Sequence, residues 1–174
     1  MASTDPTTSS RWRRLHRLLA TMDDEIGQIY EDLGISELKP TWVMELLRLD
    51  ANGPMTITEL AESTQRTHSA MSQKVSAMQA AGFVRTRPGT DARSKQVTLT
   101  AKARRITGQL AAEWRATEAA IAELETEIPY PLSRVAGDIQ TALDNKSFRE
   151  RILEHLDDAT TTAQTPRKRR STRQ

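Results

Sequence analysis

Between Thr56 and Thr100 the sequence changes period twice, and few packings accept the result. "TITE" at 56–59 is a capping box: Thr56 caps a helix and Glu59 reaches back to it. The helix it starts is short, Ile57 to Ser63, and "TQRT" breaks it. Thr67 caps a further helix running to about Ala81, with Met71, Val75 and Met78 as its buried face and Gly82 as its stop. Two strand-like segments follow, "FVRTR" and "KQVTLT", joined by "PGTDARS". In the second, Val97 and Leu99 alternate with Gln96 and Thr98, which predicts one buried and one open face. Two helices around a tight turn, then a two-stranded ribbon with a basic tip, make a helix-turn-helix with a wing.

The flanks read as helices. Trp12, Leu15, Leu19, Met22, Ile26, Ile29 and Leu33 form one apolar seam, ended by Gly34. Pro40 opens a helix with Trp42, Val43, Leu46, Leu47 and Leu49 on its apolar face, and 51–54 is a turn. Thr100 caps a long helix with a seam of Ile106, Leu110, Trp114, Thr117, Ile121, Leu124 and Ile128. "PYP" at 129–131 breaks it. Leu132, Val135, Ile139 and Leu143 mark another helix, and "SFRE" at 147–150 caps one carrying Ile152, Leu153 and Leu156. The fold class expected is mostly α with a small β-hairpin. Its expected parts are a disordered N-terminus (1–10), an N-terminal helix (11–38), a winged helix-turn-helix (39–100), C-terminal helices (101–158) and a basic disordered tail (159–174).

Charge divides the chain the same way. Residues 55–100 carry 6 Lys/Arg against 3 Asp/Glu, whereas 1–54 carry 6 against 9 and 101–159 carry 8 against 11. The basic island between two acidic segments points to a polyanion partner. The absence of cysteine excludes a disulfide framework, a cysteine metal site, a cysteine nucleophile and a thiol redox sensor. His16, His68 and His155 are far apart and no HExxH occurs, so no metal, no cofactor and no enzymatic activity are expected. With no apolar run near the ~18 residues of a membrane span and no signal-peptide pattern, a cytoplasmic protein without membrane contact is expected.

The central segment resembles the MarR family of bacterial winged-helix regulators. The matching features are Leu60-Ala61, Ser69 to Ser72, Gly82 to Arg85 and Asp91 to Thr100. With its flanking helices the resemblance covers roughly 12–156. Thr64 and Arg66 stand where many members carry apolar residues, and Ala103 where a Gly often follows the wing. On the helix 67–81, the core face leaves Thr67, His68, Ser69, Ser72, Gln73 and Ser76 for the DNA major groove. Gln73 can pair bidentately with adenine, and His68 can donate to guanine. The resemblance implies that Arg93 enters the minor groove, held by Asp91 in a wing that includes Ser94. Arg85, Arg87 and Lys95 would contact phosphates, and Arg66 could do the same.

The resemblance also implies that the terminal helices interlock with those of a second chain. A twofold homodimer would then read a pseudo-palindromic operator in double-stranded DNA. Many members of the family respond to a small aromatic or anionic effector, and His16 and Trp42 are the residues here that could line such a pocket. The expected function is a dimeric transcriptional repressor. Two alternatives remain: a non-specific or architectural DNA binder using the basic island and the tail "PRKRRSTRQ", and a winged-helix protein-interaction module.

Overall fold

The computed structural model describes residues 5–35, 37–89 and 95–164. Its helices are α1 (Arg13–Asp32), α2 (Val43–Asn52), α3 (Ile57–Ser63), α4 (His68–Ala80), α5 (Ala101–Thr126), α6 (Leu132–Asn145) and α7 (Phe148–Gln164). The strands are β1 (Met55–Thr56), β2 (Val84–Pro88) and β3 (Lys95–Leu99). Two compact units meet between Thr117 and Glu118.

In the first unit the local signals act where the sequence puts them. Thr56 and Glu59 exchange both bonds of a capping box, so α3 starts at Ile57. The Thr67 hydroxyl accepts from the Ala70 N–H and starts α4. Gly34 and Gly82 close α1 and α4 at φ +73° and +77°, a region that costs glycine nothing. After each, the next N–H bonds back over the last turn, Ile35 to the Tyr30 carbonyl and Phe83 to the Met78 carbonyl. The Thr100 hydroxyl donates to the Gly82 carbonyl while accepting from the Ala103 N–H, which ties the start of α5 to the end of α4.

The wing is part of a three-stranded antiparallel sheet rather than a lone hairpin, in the order β1-β3-β2. Met55 pairs with Val97 and Thr56 with Gln96 across the far edge of β3. A two-residue strand is too short to show alternation, which is why the sequence reading passes over it. Its presence makes β3 the central strand. Thr98 is consequently buried, not open to solvent, with Arg104 Nη2 at 3.4 Å from its hydroxyl.

The core gathers Tyr30, Trp42, Val43, Leu46, Leu49, Leu60, Met71, Val75, Met78, Phe83, Val84, Val97, Leu99, Ala103 and Leu110. Trp42 and Phe83 meet edge to face with centroids 6.1 Å apart. In α1 the buried residue is Tyr30, off the expected seam, and its hydroxyl donates to Glu113 Oε2 at 2.6 Å. Thr117 Oγ1 donates to the other oxygen of Glu113. Of the seam itself, Ile26 packs against the core, whereas Trp12, Leu19, Ile29 and Leu33 are exposed.

The second unit contains the end of α5, then α6 and α7. Glu125 accepts from both the N–H and the hydroxyl of Ser133 at the start of α6, and these bonds hold its carboxyl below the ordinary range. Ser147 and Glu150 form the capping box that opens α7. Arg151 donates to the carbonyls of Ala142 and Lys146, closing α6. Leu132, Ile139, Phe148, Ile152, Leu153 and Leu156 are all exposed.

Several boundaries differ from the sequence reading. Pro40 opens a 3-10 turn, Pro40–Trp42, and α2 follows it. Residues 51 and 52 belong to α2, and the reversal is made by Gly53 at φ +78°. Residues 6–8, expected disordered, form a 3-10 turn capped by Asp5. The helix α7 runs through Gln164, past the expected start of the tail at 159, because extending a capped helix costs far less than starting one. Among the described residues no helix is long and apolar enough to cross a membrane.

Candidate nucleic-acid interface

The exposed side of α4 is decided by the opposite side. Met71, Val75 and Met78 are completely or almost completely buried, which sets the side of the helix that faces the core. That setting leaves His68, Ser69, Gln73 and Ser76 exposed and Ser72 half-buried at the edge. Two of the six candidates are partly engaged. Thr67 Oγ1 is the helix cap, and Ser76 Oγ donates to the Ser72 carbonyl at 2.9 Å. His68 and Gln73 are the longest side chains on the exposed surface of this helix's first two turns.

On the ribbon, Arg85 and Arg87 are alternate residues of β2 and therefore share a face. Arg85 lies opposite Thr98, Arg87 opposite Gln96, and Lys95 opposite Pro88. All three cations are exposed. Asp91, Arg93 and Ser94 lie outside the described residues. The four-residue turn between α3 and α4 is closed by Gln65 at φ +53°, with the Arg66 N–H bonded to the Ala61 carbonyl.

Arg66 faces a buried carboxylate. Its Nε lies 3.7 Å from Glu45 Oε1, although the side chain remains half-exposed. Glu45 also accepts from Lys74 Nζ at 2.8 Å. Neither Glu45 nor Lys74 is singled out by the sequence reading. A signal was present: Glu45 interrupts the apolar set Trp42, Val43, Leu46 and Leu49, and Lys74 sits between Met71, Val75 and Met78.

Neither of the two residues expected at an effector pocket lines the cavity beside Phe83. Trp42 is a core residue with Lys39 Nζ 5.5 Å from its ring, and His16 is exposed on α1. That cavity, of about 330 Å³, is lined instead by Gly34, Ile35, Glu37, Phe83, Lys102, Arg105 and Ile106. There Lys102 pairs with Glu37 and lies 4.5 Å over the Phe83 ring, and this cation holds the Glu37 carboxyl below its ordinary range. Among the described residues no group of three or more His, Cys, Asp or Glu could hold a metal ion.

Comparison with known proteins agrees with this geometry. A sequence model of the MarR family matches residues 36–94. No curated protein sequence matches the chain. Among solved structures, the M. tuberculosis transcriptional regulator MOSR in complex with DNA is similar at 23% identity and TM-score 0.56, over 79% of this chain and 99% of that one. The S. aureus MepR–DNA complex is similar at 14% identity and TM-score 0.57, over 79% and 98%. The transcriptional regulator SlyA is similar at 14% identity and TM-score 0.56, over 83% and 99%. At these identities the likeness is one of fold.

Proposed function

We propose that the chain, similar to the MarR family over residues 36–94, is a winged helix-turn-helix dimeric repressor reading a pseudo-palindromic operator. The observation that carries this reading is the polar face of α4, His68, Ser69, Ser72, Gln73 and Ser76, presented by a fully apolar opposite face. A major groove accepts one helix, and these short side chains let it sit deep. Arg85, Arg87 and Lys95 supply phosphate contacts beside it, and by the family resemblance Arg93 is the residue that would read the minor groove. Two MarR-like neighbours of the same fold are DNA complexes, which supports a DNA partner for this chain.

The second copy is supported by the exposed apolar residues of the terminal helices, among them Leu18, Leu19, Ile29, Leu124, Ile139 and Leu153. Isolated exposed apolar residues are ordinary, but several along one helix face mark a surface that a partner can cover. Release by a small aromatic acid is favoured by the cavity at Lys102 and Arg105, where Arg105 and Lys102, the latter paired with Glu37, border an apolar floor of Ile35, Phe83 and Ile106. A thermal-shift screen with phenolic acids tests this; stabilisation lost in Lys102→Gln is the expected result.

Selection of bound duplexes from a random pool tests the main reading. The expected winner is pseudo-palindromic and bound on the order of 10³-fold more tightly than scrambled DNA. Equal, steeply salt-dependent binding to both would indicate an architectural binder. No binding to either would leave a protein-interaction module.

A further inference from the structure

Glu45 stands in the first turn of α2 with no exposed surface, in a core that is otherwise almost wholly apolar. Its Oε1 accepts from Lys74 Nζ at 2.8 Å and lies 3.7 Å from Arg66 Nε. Lys74 Nζ donates a second bond, 2.6 Å, to the Thr41 carbonyl just before α2. Glu45 Oε2 is buried without a hydrogen-bond partner among the described residues.

This arrangement is a poor way to gain stability. Removing a carboxylate and an ammonium from water costs several kcal/mol per ion, and a half-satisfied carboxylate recovers less of that than a fully bonded one. Apolar residues of similar size at both positions would pack the same space without the penalty. The best-attested use of such a pair is to fix a register that apolar contacts leave loose.

Apolar contacts alone hold α4 loosely in one coordinate. Two of its three anchors are methionines, unbranched side chains that follow a moving surface. At 100° per residue, Lys74 lies about 65° from the centre of the Met71–Val75–Met78 stripe, on the flank opposite His68 and Ser72. A bond at that flank resists rotation of the helix about its own axis, where a bond at the centre would not. Rolling α4 by about 20° would move side-chain tips at a radius of about 6 Å by about 2 Å. That displacement breaks a hydrogen bond to a base edge while leaving an apolar anchor in contact. Arg66 stands one residue before the cap Thr67, so the same carboxylate also holds the entry to the helix.

We propose that Glu45 is a positioning residue that, through Lys74 and Arg66, sets the roll of α4 and with it the discrimination between DNA sequences. The discrimination clause rests on the DNA-reading function proposed above; the roll does not. The test uses the full chain, whose lack of cysteine allows spin labels at Glu62→Cys on α3 and Ala77→Cys on α4, both exposed positions. In a Glu45→Leu/Lys74→Met background the melting temperature is expected to hold or rise. The distance distribution between the labels is expected to broaden. Affinity for the selected duplex is expected to fall at least tenfold, while affinity for scrambled DNA stays unchanged. Glu45→Gln, which keeps the shape, is expected to show both effects in milder form and serves if the double variant does not fold. An unchanged distance distribution overturns the positioning role. A broadened one with unchanged discrimination overturns its link to specificity. If the native chain selects no duplex, the DNA reading falls with its discrimination clause, and the label distances alone decide the roll.

Discussion

The stretch from Tyr30 to Leu110 and the stretch from Glu118 to Leu156 have similar shares of helix-forming apolar residues and opposite fates. The first contains every residue of the buried core. The second contains none: Ile121, Val135 and Leu143 are only half-buried, and its exposed large apolar side chains range from 37% at Ile139 to 76% at Tyr130. The first half of α1 and the residue before it behave like the second stretch, with Trp12, Leu18 and Leu19 all about half-exposed. Caps and periodicity are equally good in both, so local structure is not what separates them. The winged region has a sheet, and the helices packed against it cover one another's stripes. The terminal helices have stripes that one chain leaves uncovered, and such helices gain most of their stability from what packs on them.

Four variants break or sharpen that contrast. Phe83→Ala removes a ring with no exposed surface, between Trp42 and Lys102, and is expected to cost about 3–5 kcal/mol in urea unfolding. Leu19→Glu with Ile29→Glu changes only exposed residues, so the winged region is expected to keep its circular dichroism while the light-scattering mass falls from two chains to one. A mass of one chain in the native protein would instead remove the reason for the exposed stripes.

Tyr30→Phe probes the boundary between the regions' styles of packing, since it deletes a bond to a carboxylate. It is expected to cost about 1.5–3 kcal/mol. Burial, then the bond to Glu113, pushes the Tyr30 phenol above its ordinary value near 10. The folded chain therefore keeps a proton that the unfolded chain releases, and stability falls as pH climbs past about 10. Phenylalanine at this position is expected to remove that part of the slope in alkaline unfolding curves. The smallest effect is expected from Gln65→Gly. It relieves a non-glycine residue at φ +53°, worth about 1–2 kcal/mol, against an entropic loss of about 0.5–1 kcal/mol. A gain of about 0.5 kcal/mol in thermal unfolding is the anticipated outcome; a loss would mean that the Gln65 side chain stabilises the turn.

Much of the fold was legible because the signals are local. Thr56, Thr67, Ser147, Gly34 and Gly82 act within four residues of themselves, so their neighbours in the chain suffice to read them. The helix 57–63 carries the bounds its cap and breaker predict. The polar face of α4 followed from the spacing of Met71, Val75 and Met78, which the core then buries. The candidate contacts at Arg85, Arg87 and Lys95 were placed on the ribbon by period two, and that is where they stand.

What the chain alone could not disclose involves partners distant in sequence. Glu45 meets Lys74 across 29 positions, and Tyr30 meets Glu113 across 83. Strand β1 exists because β3 offers it an edge, and Thr98 is buried because that edge makes β3 central. The cavity beside Phe83 joins the end of α1 to the start of α5, and neither segment carries a sign of it by itself. Sequence by itself determined where the helices begin and end and which faces are apolar, since those follow from bonds and side chains a few residues apart. Only the tertiary structure decided which apolar faces are covered and which charges meet in the core, because both depend on which elements pack together.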